Sequence, residues 1–362
     1  MIHKRTIHDR EIGVSADIAT FGLAGKTVEH HILLHVEPRD EEFPGQLSRL
    51  LSLQTTLLSD DAFRSASVIF KRYFLSDATN QRPLMQEEQD CAVSYIQQPP
   101  LDGSKVAVWL YLIEGHEVAN IDGMIVSERN GLRHLWKMGM HEHTGDSATQ
   151  TESLLIRYEE ALHRFHATLA GNCVRTWFFV RDVDIQYAGM VRARKQNFIE
   201  QGLTEKTHYI ASTGIGGIPA DTRAIIQLGT YAITGFQPSQ MTYLYAPTHL
   251  NPTYEYGVTF ERGTKMTYGD RSHIFISGTA SINNKGEVMH VGDIRKQTER
   301  MWENVEKLLE EGGSSFYDVM QIIVYLRDLN DYGIVNKMFE ERYPDIPRVI
   351  TLAPLCRPTS LI

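Results

Sequence analysis

Short runs of β-branched and aromatic residues, separated by polar stretches, dominate the first 145 residues of the chain. The segments HHILLHV, ASVIFKRYFL, KVAVWLYLIEG and GLRHLWKMGM each have the length and composition of a strand. Leucines recur at helical spacing between about Pro44 and Ser59, which predicts one helix among these strands. We therefore expect the N-terminal part to be mostly β-sheet.

Helices and strands alternate from about residue 146 onward. Apolar positions at helical spacing predict helices at about 146–169 and 184–200, with the buried strand CVRTWFFV between them. Further strands are predicted near Ile210 and at 223–233. The proline-containing stretch 235–252 is predicted to be a loop at a domain boundary.

The same order of elements then returns. YEYGVTF and HIFISGT are predicted strands, followed by a helix at about 294–311, the strand VMQIIVYLRD, a helix at about 332–342 and the strand RVITLAPL. In both copies the central buried strand ends in Arg-Asp, at Arg181 and at Arg327. This repetition predicts a duplicated α/β module, with domains at 1–235, which carries extra N-terminal strands, and at 236–362.

Charge and composition narrow the classes of function. The formal net charge of -9 argues against a nucleic-acid binder, because phosphate affinity requires clustered cations. The sequence shows neither a signal-peptide pattern at its start nor an apolar stretch long enough to span a bilayer, so we expect a cytoplasmic protein without membrane contacts. Its cysteines, Cys91, Cys173 and Cys356, are too scattered for a disulfide framework and are expected to be reduced.

The C-terminal copy carries a set of motifs in a specific order: SGTASI from Ser277, then VYLRDLNDYGIVNKMFEERYP, then IPRVITLAPLCRPTSLI. Over roughly a hundred residues this order resembles the YjgF/Rid superfamily. A narrower likeness, to the two-domain chorismatase branch, rests on motifs along nearly two hundred residues. They are VRTW from Val174, TGIG from Thr213, Gln240 with Tyr245 and Pro247, FER from Phe260, SGTA from Ser277, IPR from Ile346 and LCR from Leu355.

The resemblance implies an α/β (α+β) fold with two chorismate-mutase-like modules, each a mixed sheet with two helices packed on one face. It also implies a hydrolase that cleaves the enolpyruvyl ether of chorismate or a related small carboxylate. The alternatives are a Rid-type deaminase of enamines or imines and a non-catalytic binding protein for a small carboxylate. Rid proteins are trimers, so the chain is expected to be a homotrimer or a monomer that supplies such an interface internally. The ribonuclease label attached to the superfamily finds no support in this acidic chain.

Arginines are the candidate substrate ligands, because a planar guanidinium can bind a carboxylate through two hydrogen bonds. The resemblance assigns Arg348 to a carboxylate clamp and Arg357 to the added arginine of the chorismatase Cys-Arg motif. Arg194 and Arg262 are equally consistent with a pocket or a surface position, and Arg175 is a weaker candidate. Tyr245 and Gly278 complete the expected substrate-binding set.

The catalytic acid is not identified by the sequence. Hydrolysis of an enol ether needs an acid that protonates the terminal methylene. The resemblance places a glutamate in the last strand, shortly after Ile362, and within the chain Glu261 is a less favoured alternative.

Other motifs predict no cofactor. His141 and His143 could share one face of a strand and bind a metal, but no third ligand is evident at suitable spacing, so a structural or solvent-facing pair is expected and no metal site is predicted. The glycine-rich stretch from Thr213 lacks the spacing of a phosphate loop and is interpreted as a turn close to a ligand. Cys356 has no evident base partner and is expected to be a buried thiol.

Overall fold

The computed structural model of the protein describes residues 1–23 and 26–356. A first sheet is built from the N-terminal strands, of which β4 and β5 are parallel and the others antiparallel to their neighbours; its order is β1-β2-β3-β6-β4-β5. Its elements are β1 (Ile2–Asp9), β2 (Val14–Gly22), β3 (Val28–Val36), α1 (Phe43–Ser59), β4 (Ala66–Leu75), the short α2 (Ala78–Gln81), β5 (Ala92–Gln97) and β6 (Val106–Glu114).

A second sheet repeats this order of strands. Its strands run β7-β8-β9-β13-β10-β11, and β10 and β11 are the parallel pair. Its elements are β7 (Glu117–Ile121), β8 (Met124–Arg129), β9 (Leu132–His141), α3 (Ser147–His163), α4 (Leu169–Asn172), β10 (Cys173–Val180), α5 (Val183–Glu200), β11 (Ala211–Gly216), β12 (Ile218–Pro219) and β13 (Ile226–Thr234). The two-residue strand β12 crosses over to pair with β5 of the first sheet.

The C-terminal part follows the same chain order but forms two separate pieces of sheet, β14-β15-β16 and the parallel pair β17-β18. Its elements are β14 (Met241–Leu244), β15 (Gly263–Thr267), β16 (Ser272–Ile276), α6 (Ile294–Glu311), β17 (Ile322–Leu326), α7 (Tyr332–Arg342) and β18 (Arg348–Leu352).

β16 and β17 are not joined through a strand in the part of the chain that the structure describes. In the first two sheets the last strand, β6 or β13, lies between the third and fourth strands and is antiparallel to both. No strand of the described residues occupies the corresponding position between β16 and β17. Strand β10, which corresponds to β17 in the order of the second sheet, is buried along its whole length. Most residues of β16 and β17 are partly exposed.

Helices lie on the outside of the sheets and a shared core lies between them. α3 and α5 bury apolar residues against the outer face of the second sheet, and α6 and α7 do the same on β17 and β18. The inner faces of the sheets meet in a central core that includes Phe70, Trp109, Trp136, Trp177 and Tyr231. Within the described ranges, no helix is both long and apolar enough to cross a membrane.

The predicted helices are confirmed, and local caps explain where two of them begin. The Asp146 carboxylate accepts a hydrogen bond from the Thr149 backbone N–H before α3, and Asp293 accepts one from Lys296 before α6. Such caps satisfy backbone donors that the first helical turn leaves unpaired. α3 ends at His163, earlier than predicted.

Three local predictions are wrong. The glycine-rich stretch from Thr213, interpreted as a turn, lies in strand β11 (Ala211–Gly216). YEYGVTF does not form a strand: Thr253–Tyr256 is a 3-10 turn, and Gly257 closes it with a positive φ of 86°. The proposed loop at 235–252 contains the strand β14. The domain limits at 235 and 236 stay a prediction.

Candidate functional site

A cavity of about 1080 Å³ opens where the edge strand β11 of the second sheet faces the C-terminal part of the chain. β11 lines it on one side, and β16 and β17 line the other. Aromatic and aliphatic side chains form most of the wall, but guanidinium, hydroxyl and imidazole groups project into it at two ends. Such an apolar cleft with a few polar groups is typical of small-molecule sites.

Arg175 supplies the first guanidinium of the cavity wall, from strand β10. It is buried, with 5% of its surface exposed, and its Nη2 donates a hydrogen bond to Thr213 Oγ1 at 2.5 Å while Nη1 donates to the Thr176 carbonyl. Its guanidinium lies 4.9 Å from the centre of the Trp177 ring. Burial lowers the pKa of Arg175, as expected for a cation taken out of water, yet an arginine stays protonated near neutral pH.

Arg194, from helix α5, supplies the second guanidinium of the cavity wall. Only 1% of Arg194 is exposed, and its guanidinium packs near the rings of Phe178 and Phe198. Its Nη1 donates to Ser212 Oγ at 3.4 Å, but its Nε and Nη2 have no hydrogen-bond partner among the described residues. A buried cation with free donors is costly unless an anion joins it.

The two arginines meet at one point of β11 from opposite faces of the sheet. Arg175 reaches Thr213 and Arg194 reaches the preceding residue, Ser212. Successive side chains of a strand point to opposite faces, but β11 is an edge strand, so the cavity can extend around it. The cavity is therefore lined by guanidinium groups on both faces of one strand.

Hydrogen bonds hold the residues that follow β16 close to β11 at this point. The Ser212 N–H donates to Ser277 Oγ at 2.8 Å, and the Gly278 N–H donates to the Ser212 carbonyl at 3.3 Å. A β-carbon on Gly278 would lie 3.4 Å from Thr213 Cγ2, so glycine leaves space beside the Arg175 hydrogen bond. Gly278, a predicted site residue, lines the cavity.

The other predicted site residues have varied positions. Arg262 lines the cavity, but it donates to the backbone carbonyl and the side chain of Asn251, which fixes it in place. Tyr245 is 45% exposed and is not among the described residues of the lining. Arg357 lies outside the described residues.

Arg348 lies at the start of β18 and is likewise not part of the described lining. Its Nη1 lies within 3.5 Å of the carbonyl oxygens of Tyr343, Pro344 and Ile346, and its guanidinium lies 5.7 Å from the ring of Phe339. These contacts tie the residues that follow α7 to β18. A role of Arg348 as a substrate clamp stays a prediction.

The carboxyl groups of the described lining are all engaged. Asp184 pairs with Arg327, and Asp318 accepts hydrogen bonds from Ser314 and Ser315. The third, Glu29, pairs with Arg271 and His273. Glu261, the alternative acid of the sequence analysis, accepts a hydrogen bond from the Tyr209 backbone N–H at 2.7 Å; burial raises its pKa, but it is not among the described lining residues.

Glu29 belongs to a charged network at the second polar end of the cavity. Burial alone would raise its pKa, but the charge and hydrogen bond of His273, at 2.8 Å, together with the charge of Arg271, hold the pKa well below its ordinary range. His31 lies beside this network and accepts a hydrogen bond from the Trp109 indole at 3.0 Å. This end of the cavity therefore holds an ionised carboxylate that is already neutralised.

Sequence reasoning missed two buried cations: Arg271, in the network around Glu29, and Arg72, next to the cavity. Arg72, on β4, is fully buried, and its three guanidinium nitrogens have no hydrogen-bond partner among the described residues. The Trp177 and Phe179 rings lie 5.1 and 4.9 Å from it. In the sequence, only its position within the apolar run ASVIFKRYFL indicates that Arg72 is buried. That run does not show which aromatic rings surround it.

Comparison with known proteins matches the C-terminal part of the chain. The family described as Endoribonuclease L-PSP matches residues 266–354. A RutC family protein of Pyrococcus abyssi is 42% identical over 71 residues, which are 19% of this chain and 55% of that protein. The 3-aminoacrylate deaminase RutC of Acinetobacter baylyi is 31% identical over 91 residues, which are 25% of this chain and 72% of that protein. The chain thus spans about half the length of the first of these relatives.

A solved structure extends the similarity beyond the C-terminal part. A chorismatase crystal structure superposes on 82% of this chain and 91% of its own, with a TM-score of 0.64 and 19% sequence identity. At this identity the superposition shows a shared fold, in agreement with the predicted α/β fold class. On the family pattern over residues 266–354 and the relative matched over most of its length, the chain belongs to the YjgF/Rid family.

Proposed function

We propose that the cavity binds a small substrate with two carboxylate groups and that the protein hydrolyses its enolpyruvyl ether, as a chorismatase would. The observation that carries this proposal is the placement of Arg175 and Arg194 on the two faces of β11, each bonded to a hydroxyl there. Among the described residues, Nε and Nη2 of Arg194 have no hydrogen-bond partner, so they can donate to a ligand anion. Two separate guanidinium groups suit a dicarboxylate better than a monocarboxylate, because each carboxylate accepts its own charge-assisted hydrogen bonds.

The apolar wall supports the same chemistry. Protonation of the enol methylene converts the ether into an oxocarbenium ion, water adds to it, and the resulting hemiketal releases pyruvate and the ring hydroxyl. Hydrogen bonds between the arginines and the carboxylates would fix the substrate, and the surrounding aromatic side chains would limit access of bulk water. The acid that delivers the proton is not assigned to a described residue.

A second candidate is hydrolysis of an enamine or imine of a small amino acid. It is favoured by the 31% identity over 91 residues to the 3-aminoacrylate deaminase RutC. That reaction needs one carboxylate contact. It would use one of the two arginines and leave the other without a ligand.

Parallel assays separate the two candidates. The protein is incubated with chorismate and, separately, with 2-aminoacrylate generated in situ, and pyruvate release is measured against buffer. We expect pyruvate from chorismate at a rate proportional to protein concentration. Acceleration with 2-aminoacrylate alone would favour the deaminase. Binding of chorismate, seen as a change in tryptophan fluorescence, without turnover in either assay would leave a binding protein.

A further inference from the structure

Folding brings a third potential metal ligand to the two histidines at the end of β9. His141 is the last residue of β9, His143 follows it, and Asp221 lies in the loop before β13. One ligand atom from each of the three side chains lies within 4.8 Å of the others. β9 and β13 pair antiparallel, with His141 opposite Gln227, so the sheet itself places the histidine end of β9 beside the 221–225 loop.

We propose that His141, His143 and Asp221 form a binding site for a divalent transition metal such as Zn²⁺ on the surface of the second sheet. Two imidazoles and one carboxylate are a ligand set that zinc commonly accepts, and they leave a fourth position for water. The site is separate from the cavity, since none of the three residues belongs to its described lining.

The hydrogen bond of His141 favours a tautomer that leaves one ring nitrogen able to bind a metal. Its Nδ1 lies 2.9 Å from the Gly139 carbonyl oxygen. A carbonyl only accepts hydrogen bonds, so Nδ1 carries the proton and Nε2 keeps its lone pair. Histidines that bind metals are commonly oriented by such a hydrogen bond from the other ring nitrogen.

The loop that carries Asp221 is held in place from two sides. Arg181 donates to the backbone carbonyls of Asp221 and Thr222, at 3.1 and 2.6 Å. Gln150 donates to the Arg223 carbonyl and accepts from the Ile225 N–H. A ligand on such an anchored loop loses little conformational freedom when it binds.

The remaining contacts of the cluster predict how binding is controlled. His143 Nδ1 lies 3.2 Å from Asp221 Oδ2, and its side chain is 44% exposed, so its ring can turn toward an ion. Asp221 also accepts hydrogen bonds from the backbone and the side chain of Arg223, at 2.8 to 3.2 Å. Ligand atoms of a tetrahedral zinc site lie roughly 3.3 Å apart, so the cluster must contract on binding. The Arg223 side chain competes with the metal for the Asp221 carboxylate.

Because Arg223 competes with the metal for Asp221, the proposal predicts that removing its charge raises the metal affinity. A chance surface site would not predict this increase. Apo protein is titrated with Co²⁺, whose visible spectrum reports the ligand geometry, and its thermal unfolding is followed with and without Zn²⁺. We expect one high-affinity equivalent and a metal-dependent rise in Tm. His143→Ala and Asp221→Asn should weaken binding at least ~10-fold, and Arg223→Gln should tighten it, because it removes the competing cation while leaving Asp221 intact.

His163→Ala removes another exposed histidine and is the matched control, for which unchanged binding is expected. Circular dichroism establishes that each variant is folded. The proposal is overturned if the wild type binds no metal, if His143→Ala binds as the wild type does, or if His163→Ala weakens binding as much as His143→Ala. Weaker binding in Arg223→Gln would also overturn it.

Discussion

Arg175 on β10 donates a 2.5 Å hydrogen bond to Thr213 on the parallel neighbour β11, and the pair faces the cavity. In the parallel register Trp177 is opposite Thr213, so the guanidinium reaches diagonally along the strands under the indole. This diagonal contact fixes a buried cation next to an apolar wall. The proposed anion site depends on it.

Arg194→Met should abolish tight substrate binding while leaving the fold at least as stable. The free donors of Arg194 have no described partner, so removing them loses the charge-assisted bonds to a carboxylate, a weakening of at least ~10-fold. Removal of a buried, incompletely paired charge is often neutral or stabilising. Calorimetry measures the affinity for chorismate, and the midpoint of urea unfolding measures the stability.

Arg192→Ala, on the exposed part of the same helix, is the matched control and should change neither quantity. A large loss of stability in Arg194→Met, with unchanged ligand affinity, would show that Arg194 serves the fold instead.

Arg348→Ala tests the carboxylate clamp that the family resemblance predicts: loss of the clamp should weaken ligand binding ~10-fold or more, whereas loss of a purely structural arginine should lower only the stability, by about 1 kcal/mol. Its guanidinium donates to backbone carbonyls after α7, and each such net contribution is of this size. Thermal unfolding and ligand titration on the same sample measure both. An unchanged Kd together with a lower stability would contradict the clamp.

Gly278→Leu should block the cavity, whereas Gly278→Ala should be tolerated. A β-carbon meets Thr213 at an ordinary contact distance of 3.4 Å, but a branched side chain extends into the space beside Arg175. We expect Gly278→Leu to lose binding with little change in Tm. If both variants bind chorismate as the wild type does, the substrate lies elsewhere.

Stability should fall between about pH 6.5 and pH 4 because of His31. Burial lowers its folded-state pKa to about 4 from the ordinary value of 6.5, so the unfolded chain takes up the proton first as the pH falls. The contribution of His31 is complete above pH 6.5 and amounts to roughly 3 kcal/mol at most. Protonation of Nδ1 would also remove the acceptor of the Trp109 indole.

Urea midpoints measured across this range test the assignment. His31→Gln keeps a hydrogen-bond acceptor but cannot take up a proton, so its midpoint should vary less with pH than that of the wild type. Parallel curves for the two proteins would contradict the prediction.

Local sequence pattern predicted the elements that depend on periodicity. The helices α1, α5, α6 and α7 begin and end close to the predicted limits, because their apolar stripes recur every three to four residues. YEYGVTF failed because its aromatic residues follow Pro252, and Gly257 adopts a conformation that suits a turn.

The candidate site was predictable only in part, since it depends on which strands become neighbours. In the sequence, Arg175 was a weaker candidate for a substrate ligand, because a strand in which Trp177 and Phe179 alternate with it could expose one face. Both faces of β10 are buried. Asp221 is far from His143 in sequence and reaches it only through the pairing of β9 with β13. Arg72 is enclosed by rings from other strands, which no spacing rule reveals.

Strands β16 and β17 each have one edge whose backbone amides and carbonyls no strand neighbour satisfies within the described chain. Both strands also line the cavity, so their backbone N–H and carbonyl groups add hydrogen-bonding positions to a wall whose side chains are mostly apolar. A ligand that lies along these edges would be selected by the positions of its polar atoms relative to the main chain, and substitution of a side chain leaves those main-chain groups unchanged.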